Sequence, residues 1–255
     1  MSTGLRNRRT HVQVLHDGIV TARVRKWPSR SDVAHVVLTD HQTSPTVSAV
    51  RSWCEVLRLE GFPLARTGAL SPDAAATFER AGFHRIQTLA LLRLDDPTTL
   101  RRLRGLPRPA VALRSLRSAR SLHTAAAIDH SAFDAGWDLD VPTIRDACRA
   151  TASHRIRLAV TATDEPAGYM ISGRSGPSGF VQRLAVAPEH QGQGIAHALL
   201  QDGLQWLARH HVTDVLVNTH LDNVRALTLY RAWGFTRLDE ELQVMEIDLG
   251  QGNSR

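Results

Sequence analysis

The chain has 255 residues and a mass of 28.1 kDa, room for one large domain or two of about 100–150 residues. Apolar residues make up 42%, which excludes general disorder, and no run approaches the roughly 18 consecutive apolar residues of a membrane helix. The formal charge is +6, from 31 basic and 25 acidic residues.

Two cysteines, Cys54 and Cys148, make neither a disulfide framework nor a zinc-ligand spacing, and no metal site is expected. They read as reduced thiols of a cytoplasmic protein. No apolar signal core comes after Met1 to Arg9, so secretion is not expected.

Charge divides along the chain. Residues 1–94 carry 13 basic and 7 acidic side chains, residues 95–125 carry 7 and 2, and residues 126–255 carry 11 and 16. Opposite signs in the two halves suggest two modules. Asp95-Asp96-Pro97 reads as a break, and Gly105, Pro107 and Pro109 punctuate the next dozen or so residues. The division expected is 1–96, an Arg/Pro-rich linker over 97–109, and 110–255. The linker arginines (Arg101, Arg102, Arg104, Arg108) read as solvated. No aromatic residue interleaves with them for base stacking, so nucleic-acid binding is not favoured.

In chain order, a helix is expected over Thr46–Leu59. A second ends at Gly82-Phe83 and leads into a strand over Ile86–Leu94. A strand over 110–117 precedes helices over 119–132 and 141–152. Strands come next over Arg155–Thr161, Ala167–Ser172 and Gly179–Ala187. Then come a helix from Ile195 to His210, a strand over Val212–Thr219, a helix over Val224–Trp233 and a strand over Leu238–Leu249. This order implies a mixed α/β (α+β) sheet flanked by helices. Residues 74–83 and 226–235 repeat a helix that ends in Gly-Phe, at an offset of 152. Gly82 and Gly234 fit the left-handed position past a helix C-terminus, and the repeat suggests a duplicated fold.

The stretch most suggestive of chemistry is Leu184-Ala185-Val186-Ala187-Pro188-Glu189-His190-Gln191-Gly192-Gln193-Gly194-Ile195-Ala196. A strand there runs into a glycine-bearing loop that opens a helix. Such a turn aims several amides at one point, glycines allow close approach, and the helix dipole favours an anion. The loop is not closed by Gly-Lys-Ser/Thr, so this is not a P-loop. About 30 residues on, a strand ends at Thr219-His220, and Asn223 opens a helix carrying Ala226 and Tyr230 before Gly234-Phe235.

These two segments resemble the GNAT N-acetyltransferase superfamily. The first matches Q/R-x-x-G-x-G/A at Gln191, Gly194 and Ala196. The second matches N-x-x-A-x-x-x-Y-x-x-x-G-F at Asn223, Ala226, Tyr230, Gly234 and Phe235. The resemblance covers about residues 110–250 and implies the acyl-CoA N-acyltransferase fold. It implies acetyl-CoA as co-substrate and an amine as acceptor, either a small molecule or a peptide N-terminus. The pyrophosphate would lie on the amides of Gln191, Gly192, Gln193, Gly194, Ile195 and Ala196. The pantetheine arm would pair with Leu184, Ala185 and Val186, where two strands splay apart, and be held by Asn223. Tyr230 would return a proton to the leaving thiolate.

Many family members carry a Glu near the position of Phe180, and it is missing here. His220 is then a candidate base, with Glu189, His190 and an ordered water as alternatives. Family acceptor loops would here contain Trp137, Asp138, Asp140, Asp239, Glu240 and Glu241, acidic enough to attract a cationic amine. At the 152-residue offset Phe78 replaces Tyr230 and Ser71 replaces Asn223. The segment Thr39 to Pro45 has no glycine. The N-terminal half is therefore expected to be a degenerate GNAT-like copy that no longer binds CoA and extends the catalytic sheet. Tandem members of this kind include mycothiol synthase, so acetylation of a cysteinyl amine is a second reading. A non-catalytic acyl-CoA-binding protein is a third. Monomer and homodimer both stay open, and no membrane partner is expected.

Overall fold

The computed structural model describes residues 13–27, 30–40, 43–97, 111–116 and 118–250. Of the expected linker only Pro97 is among them, so its arginines lie outside the described residues. The chain forms two compact units, one from residues 1–88 with 242–255 and the other from Leu89 to Glu241.

The first unit holds β1 (Gln13–His16), β2 (Thr21–Trp27), β3 (Arg30–Leu38), α1 (Val47–Leu59), β4 (Leu64–Thr67) and α2 (Pro72–Arg80). β5 (His84–Asp95) begins in this unit and ends in the second, whereas β11 (Thr236–Asp248) begins in the second and ends here. β1, β2 and β3 form an antiparallel meander, β4 joins β3 in parallel, and β11 joins β4 antiparallel through Glu246 opposite Arg66. Val24, Val36, Trp53, Leu57, Ala65, Phe78, Phe83 and Met245 are in its core. The strands β1–β4 were not expected. β2 reads Thr-Ala-Arg-Val-Arg-Lys-Trp; alternation buries Ala22 and Val24 with Arg23 and Arg25 on the other face, and a register shift after Lys26 brings Trp27 into the buried set.

The second unit holds β6 (Val111–Ser115), α3 (Ala119–Ala132), α4 (Val141–Arg149), β7 (Ser153–Thr161), β8 (Pro166–Ser175), β9 (Ser178–Val186), α5 (Ile195–Arg209), β10 (Asp214–His220) and α6 (Val224–Ala232). β6 to β9 run antiparallel in sequence order, β9 meets β10 in parallel, and β10 pairs antiparallel with β5 over Leu89–Asp95. This is the mixed sheet that the pattern of elements implied. One core packs α5 and α6 on the sheet through Leu199, Leu200, Leu204, Leu207, Leu227 and Trp233. Another packs α3 and α4 through Ala125, Ile128, Ile144 and Cys148. β8 serves both, with Met170 in the first and its neighbours Tyr169 and Ile171 in the second, as strand alternation requires.

Caps define the helix starts. Ser118 and Ser121 form a reciprocal capping box on α3, and Asp140 accepts the Thr143 amide at 2.9 Å on α4. No described helix is long and apolar enough to cross a membrane.

Gly203, within α5, lets that helix lie close on β8. A Cβ there would fall 2.5 Å from Ser172 Oγ and 2.6 Å from Met170 Cε. Helix propensity alone would make Gly203→Ala stabilising by roughly 1 kcal/mol. Overpacking opposes this, and we expect a net destabilisation of about 1–3 kcal/mol, read from the urea-denaturation midpoint. A gain in stability would mean that the α5–β8 contact yields without cost.

Candidate active site

β9 and β10 stay together only briefly. Their parallel register covers Ser178, Gly179 and Phe180 opposite Asp214, Val215 and Leu216. Past that point β9 still pairs with β8 as far as Val186, and β10 with β5 as far as His220. The edges that face each other, from Val181 on β9 and Val217 on β10, are therefore left without a ladder. The strands part where the sequence pattern places Leu184, Ala185 and Val186.

The end of β9 leads through a 3-10 turn, Pro188–His190, into the glycine loop and α5. Gly192 and Gly194 both take left-handed φ, +77° and +78°, where a side chain would strain the backbone. Gly194 is the N-cap of α5, and no side chain caps this helix. Among the described residues, the amides from Gly192 to His197 have no acceptor. A Cβ built on Gly192 meets nothing within 4 Å. A glycine loop of this kind, with six unpartnered amides leading into a helix, is an arrangement suited to an anion. Gln191 braces it, donating to the Val186 carbonyl at 3.2 Å and accepting from Arg225 at the start of α6.

α6 brings the second motif. Asn223 Oδ1 caps it by accepting the Ala226 amide at 3.0 Å, which leaves the side-chain NH2 of this exposed residue available. Tyr230 is 5% exposed and its ring rests on Phe235, centroids 5.5 Å apart. No hydrogen bond engages its hydroxyl among the described residues. Burial holds its pKa above the usual phenol value, opposed in part by the charge of Arg183. Trp233 Nε1 donates to His197 Nδ1 at 2.9 Å, tying α6 to the first turn of α5.

His220 stands at the end of β10, and its Nδ1 accepts the Asp222 amide at 3.2 Å. Asp222 Oδ2 lies 3.6 Å from the same nitrogen. Phe180 offers no titratable group. Trp137 and Asp138 lie in the loop between α3 and α4. Asp138 is held by His130 at 2.9 Å and by the Gly136 amide at 3.2 Å. Burial would raise its pKa, but those bonds outweigh it and keep the carboxyl below the usual range. Asp239 and Glu240, which fell within the expected strand Leu238–Leu249 and were also assigned to an acceptor loop, lie on exposed positions of β11. The run Thr236 to Asp248 continues as one strand because Val244 and Met245 bury its second half. Glu241 pairs with Arg237. Among the described residues no cluster could hold a metal ion.

Sequence reading missed Asp129, Tyr169 and Arg183, a buried polar network between α3, β8 and β9. Its signal was the carboxylate of Asp129 on the helix face that also carries Ala125 and Ile128.

In the first unit the copy of this arrangement is partial. The helix ends agree bond for bond. The Phe83 amide reaches Phe78 O at 3.1 Å and the Phe235 amide reaches Tyr230 O at 3.0 Å. Gly82 and Gly234 bond Glu79 O and Arg231 O, both at 2.9 Å. The helix starts differ. Thr46 caps α1 and occupies the Ala49 amide, whereas α5 is uncapped. Phe78 is buried against Phe83 with no polar tip.

Residues 122–235 match the family model described as the Acetyltransferase (GNAT) family. A tandem GNAT protein from the clavulanic acid biosynthesis pathway superposes with a TM-score of 0.66 at 17% identity, covering 93% of this chain and 82% of that one. Residues 122–235 are thus a GNAT-family domain, and the fold of the chain is that of a protein with two GNAT-like halves. A GCN5-related N-acetyltransferase from Kribbella flavida gives a TM-score of 0.63 at 14% identity, covering 92% of this chain and 89% of that one. A mycothiol acetyltransferase of Geodermatophilus obscurus is 29% identical over 196 residues, 65% of this chain and 58% of that relative. The chain thus spans little more than half the length of that relative.

Tyr169 and Tyr230 are the only tyrosines, and burial raises both pKa values. Folded protein should therefore show no tyrosinate absorbance rise through pH 10, while protein in denaturant should titrate near 10. A folded pKa above the unfolded one means this stabilisation is complete below pH 10 and is lost as pH rises beyond it. A tyrosinate step near pH 10 in folded protein would show that one phenol is solvated.

Proposed function

We propose that the chain is an acetyl-CoA-dependent N-acetyltransferase that moves an acetyl group to a primary amine by direct attack. The observation that carries this reading is the row of acceptor-free amides from Gly192 to His197, opening beside two parted strands. The residues fit the co-substrate. The cradle suits a pyrophosphate, with Gln191 bracing it. The free edge of β9 at Leu184, Ala185 and Val186 suits an extended amide-bearing arm, which pairs as an added strand would. Asn223 offers a side-chain N–H to the same arm.

Acetyl-CoA supplies the activated thioester. A β9 amide near Leu184 or Ala185 donates to the carbonyl oxygen as negative charge gathers there. Tyr230 remains protonated at neutral pH and holds that proton at Oη for the departing sulfur. With Phe180 carboxyl-free and His220 Nδ1 engaged, water takes the proton of the amine. The first unit, capped by Thr46 and carrying Phe78, does not bind CoA. A mycothiol acetyltransferase stands among the relatives, so a cysteinyl amine belongs beside peptide N-termini and polyamines in an acceptor screen.

Calorimetric titration of acetyl-CoA tests this reading. Wild type should bind with micromolar affinity and Gly194→Trp should not. Tyr230→Phe should bind as wild type and lose about 10²–10⁴-fold in turnover. Wild-type protein that binds no acetyl-CoA overturns the assignment. Binding without turnover on any amine turns it into that of an acyl-CoA-binding protein.

A further inference from the structure

The loop between α3 and α4 is braced within itself by short-range bonds. The Trp137 amide reaches Asp134 O at 2.9 Å, and Asp138 takes the Gly136 amide. An ion pair fastens it to the sheet. Asp129, fully buried on α3, accepts Arg183 Nε at 2.8 Å and Arg183 Nη2 at 2.7 Å. The same carboxylate accepts the Leu139 amide at 2.6 Å and the Tyr169 hydroxyl. Arg183 Nη2 also donates to the Trp137 carbonyl at 2.8 Å, and its guanidinium lies over the Phe133 ring, 3.5 Å from the centroid. Two side chains thus hold the loop at Phe133, Trp137 and Leu139.

Arg183 reaches this position because β9 bulges. Ile171 faces Arg183 and the next residue, Ser172, faces Val181, so Gln182 is extra. The bulge puts two successive side chains on the α3/α4 side: Gln182 Nε2 bonds Ala147 O of α4 at 2.7 Å, and Arg183 bonds Asp129 of α3. Arg183 directly precedes Leu184 on the free edge of β9. It is also the charged group whose field reaches Tyr230.

We propose that Arg183 and Asp129 are a positioning pair that fixes the loop Phe133–Leu139 against the reacting strand β9, so that the acceptor amine is presented in register with the thioester. The inference rests on the acyltransferase reading and adds residues that act through others. A buried pair of this kind adds little net stability compared with an apolar replacement. Its planar fork does fix geometry, since one guanidinium meets a carboxylate, a carbonyl and a ring at once.

Hydrogen–deuterium exchange and steady-state kinetics together test it. Asp129→Asn and Arg183→Lys should lose protection at peptides covering 133–140 and keep it in α5 and β10. Arg183→Lys keeps a cation beside Asp129, so it should fold; a lysine lacks the fork that also spans Trp137 O. Tyr169→Phe removes one bond to Asp129 without touching the loop and should leave loop exchange as in wild type. With spermidine, an alanyl tetrapeptide and cysteine as acceptors, acceptor kcat/KM should fall about 10- to 100-fold in Arg183→Lys, while the acetyl-CoA Kd stays unchanged. Unaltered loop exchange in both pair variants overturns the proposal. So does a loosened loop with unchanged acceptor kcat/KM, or equal loss of acetyl-CoA affinity. A wild type that acetylates none of the three amines overturns the proposed function instead, and exchange alone then decides whether the pair holds the loop.

Discussion

Everything in the second unit is arranged around the parting of β9 from β10. Two parallel strands that diverge after three residues leave backbone amides and carbonyls facing one another without partners. Buried backbone groups rarely stay unpaired, since each costs roughly a lost hydrogen bond. A sheet that keeps such a gap needs water or an extended ligand in it. The flanking elements keep the gap open. β8 holds one strand and β5 the other over their full lengths, while Leu199, Leu204 and Leu207 pack α5 against the unit's core. The glycine loop then starts where β9 ends, which puts the cradle at the mouth of the gap. Gly194 makes this geometry possible, because its left-handed φ turns the chain sharply enough to begin a helix with no side chain over its free amides.

The two units separate what the fold needs from what a site needs. Both end their last helix with the same left-handed glycine and the same pair of backbone bonds. That feature docks a helix on a strand and is kept in both. The polar groups at the other end are not. Thr46 fills the position that α5 leaves open, and Phe78 stands in the place of Tyr230 with its ring equally buried. A phenylalanine satisfies packing without the cost of a buried hydroxyl. Tyr230 adds a hydroxyl to the same packing, with no protein partner for it among the described residues, so packing alone does not explain its presence.

Much of this was legible in the sequence. The helices α3, α5 and α6 and the glycine loop could be read from apolar spacing and glycine placement, because those signals act locally. The four strands at the start of the chain could not. In β2 and β3 arginine, lysine and histidine alternate with short apolar residues, and the register Arg25, His35, Arg66, Glu246 that gathers them is set by pairing between distant segments. There His35 lies half-buried beside Arg25 and Arg66, with its pKa pushed down to about 3 chiefly by desolvation. The bulge at Gln182 was equally hidden. Period-two alternation across Gly179–Ala187 assumes an unbroken strand, and one inserted residue sends Gln182 and Arg183 to the same side. The ion pair with Asp129 depends on that insertion, so it was invisible until the register was known.

The register also bears on how the acceptor meets the site. An acidic wall was expected to draw in an ammonium group, but most of its charges are engaged locally. Asp140 caps α4, Asp138 is bound by His130 and a backbone amide, and Glu241 is paired with Arg237. Of the expected acids, Asp239 and Glu240 are left on exposed positions of β11. This suits the chemistry. A carboxylate close to the amine would stabilise its protonated form and oppose the deprotonation that attack requires. With no carboxyl at Phe180 and His220 Nδ1 already accepting a turn amide, a site that clamped an ammonium tightly would hold it in its unreactive form. On the proposed reading the approach would instead be lined by the Trp137–Leu139 backbone, which is bonded to a guanidinium already neutralised by Asp129. A neutral amine loses little on entering such a surface, and its proton can leave to water.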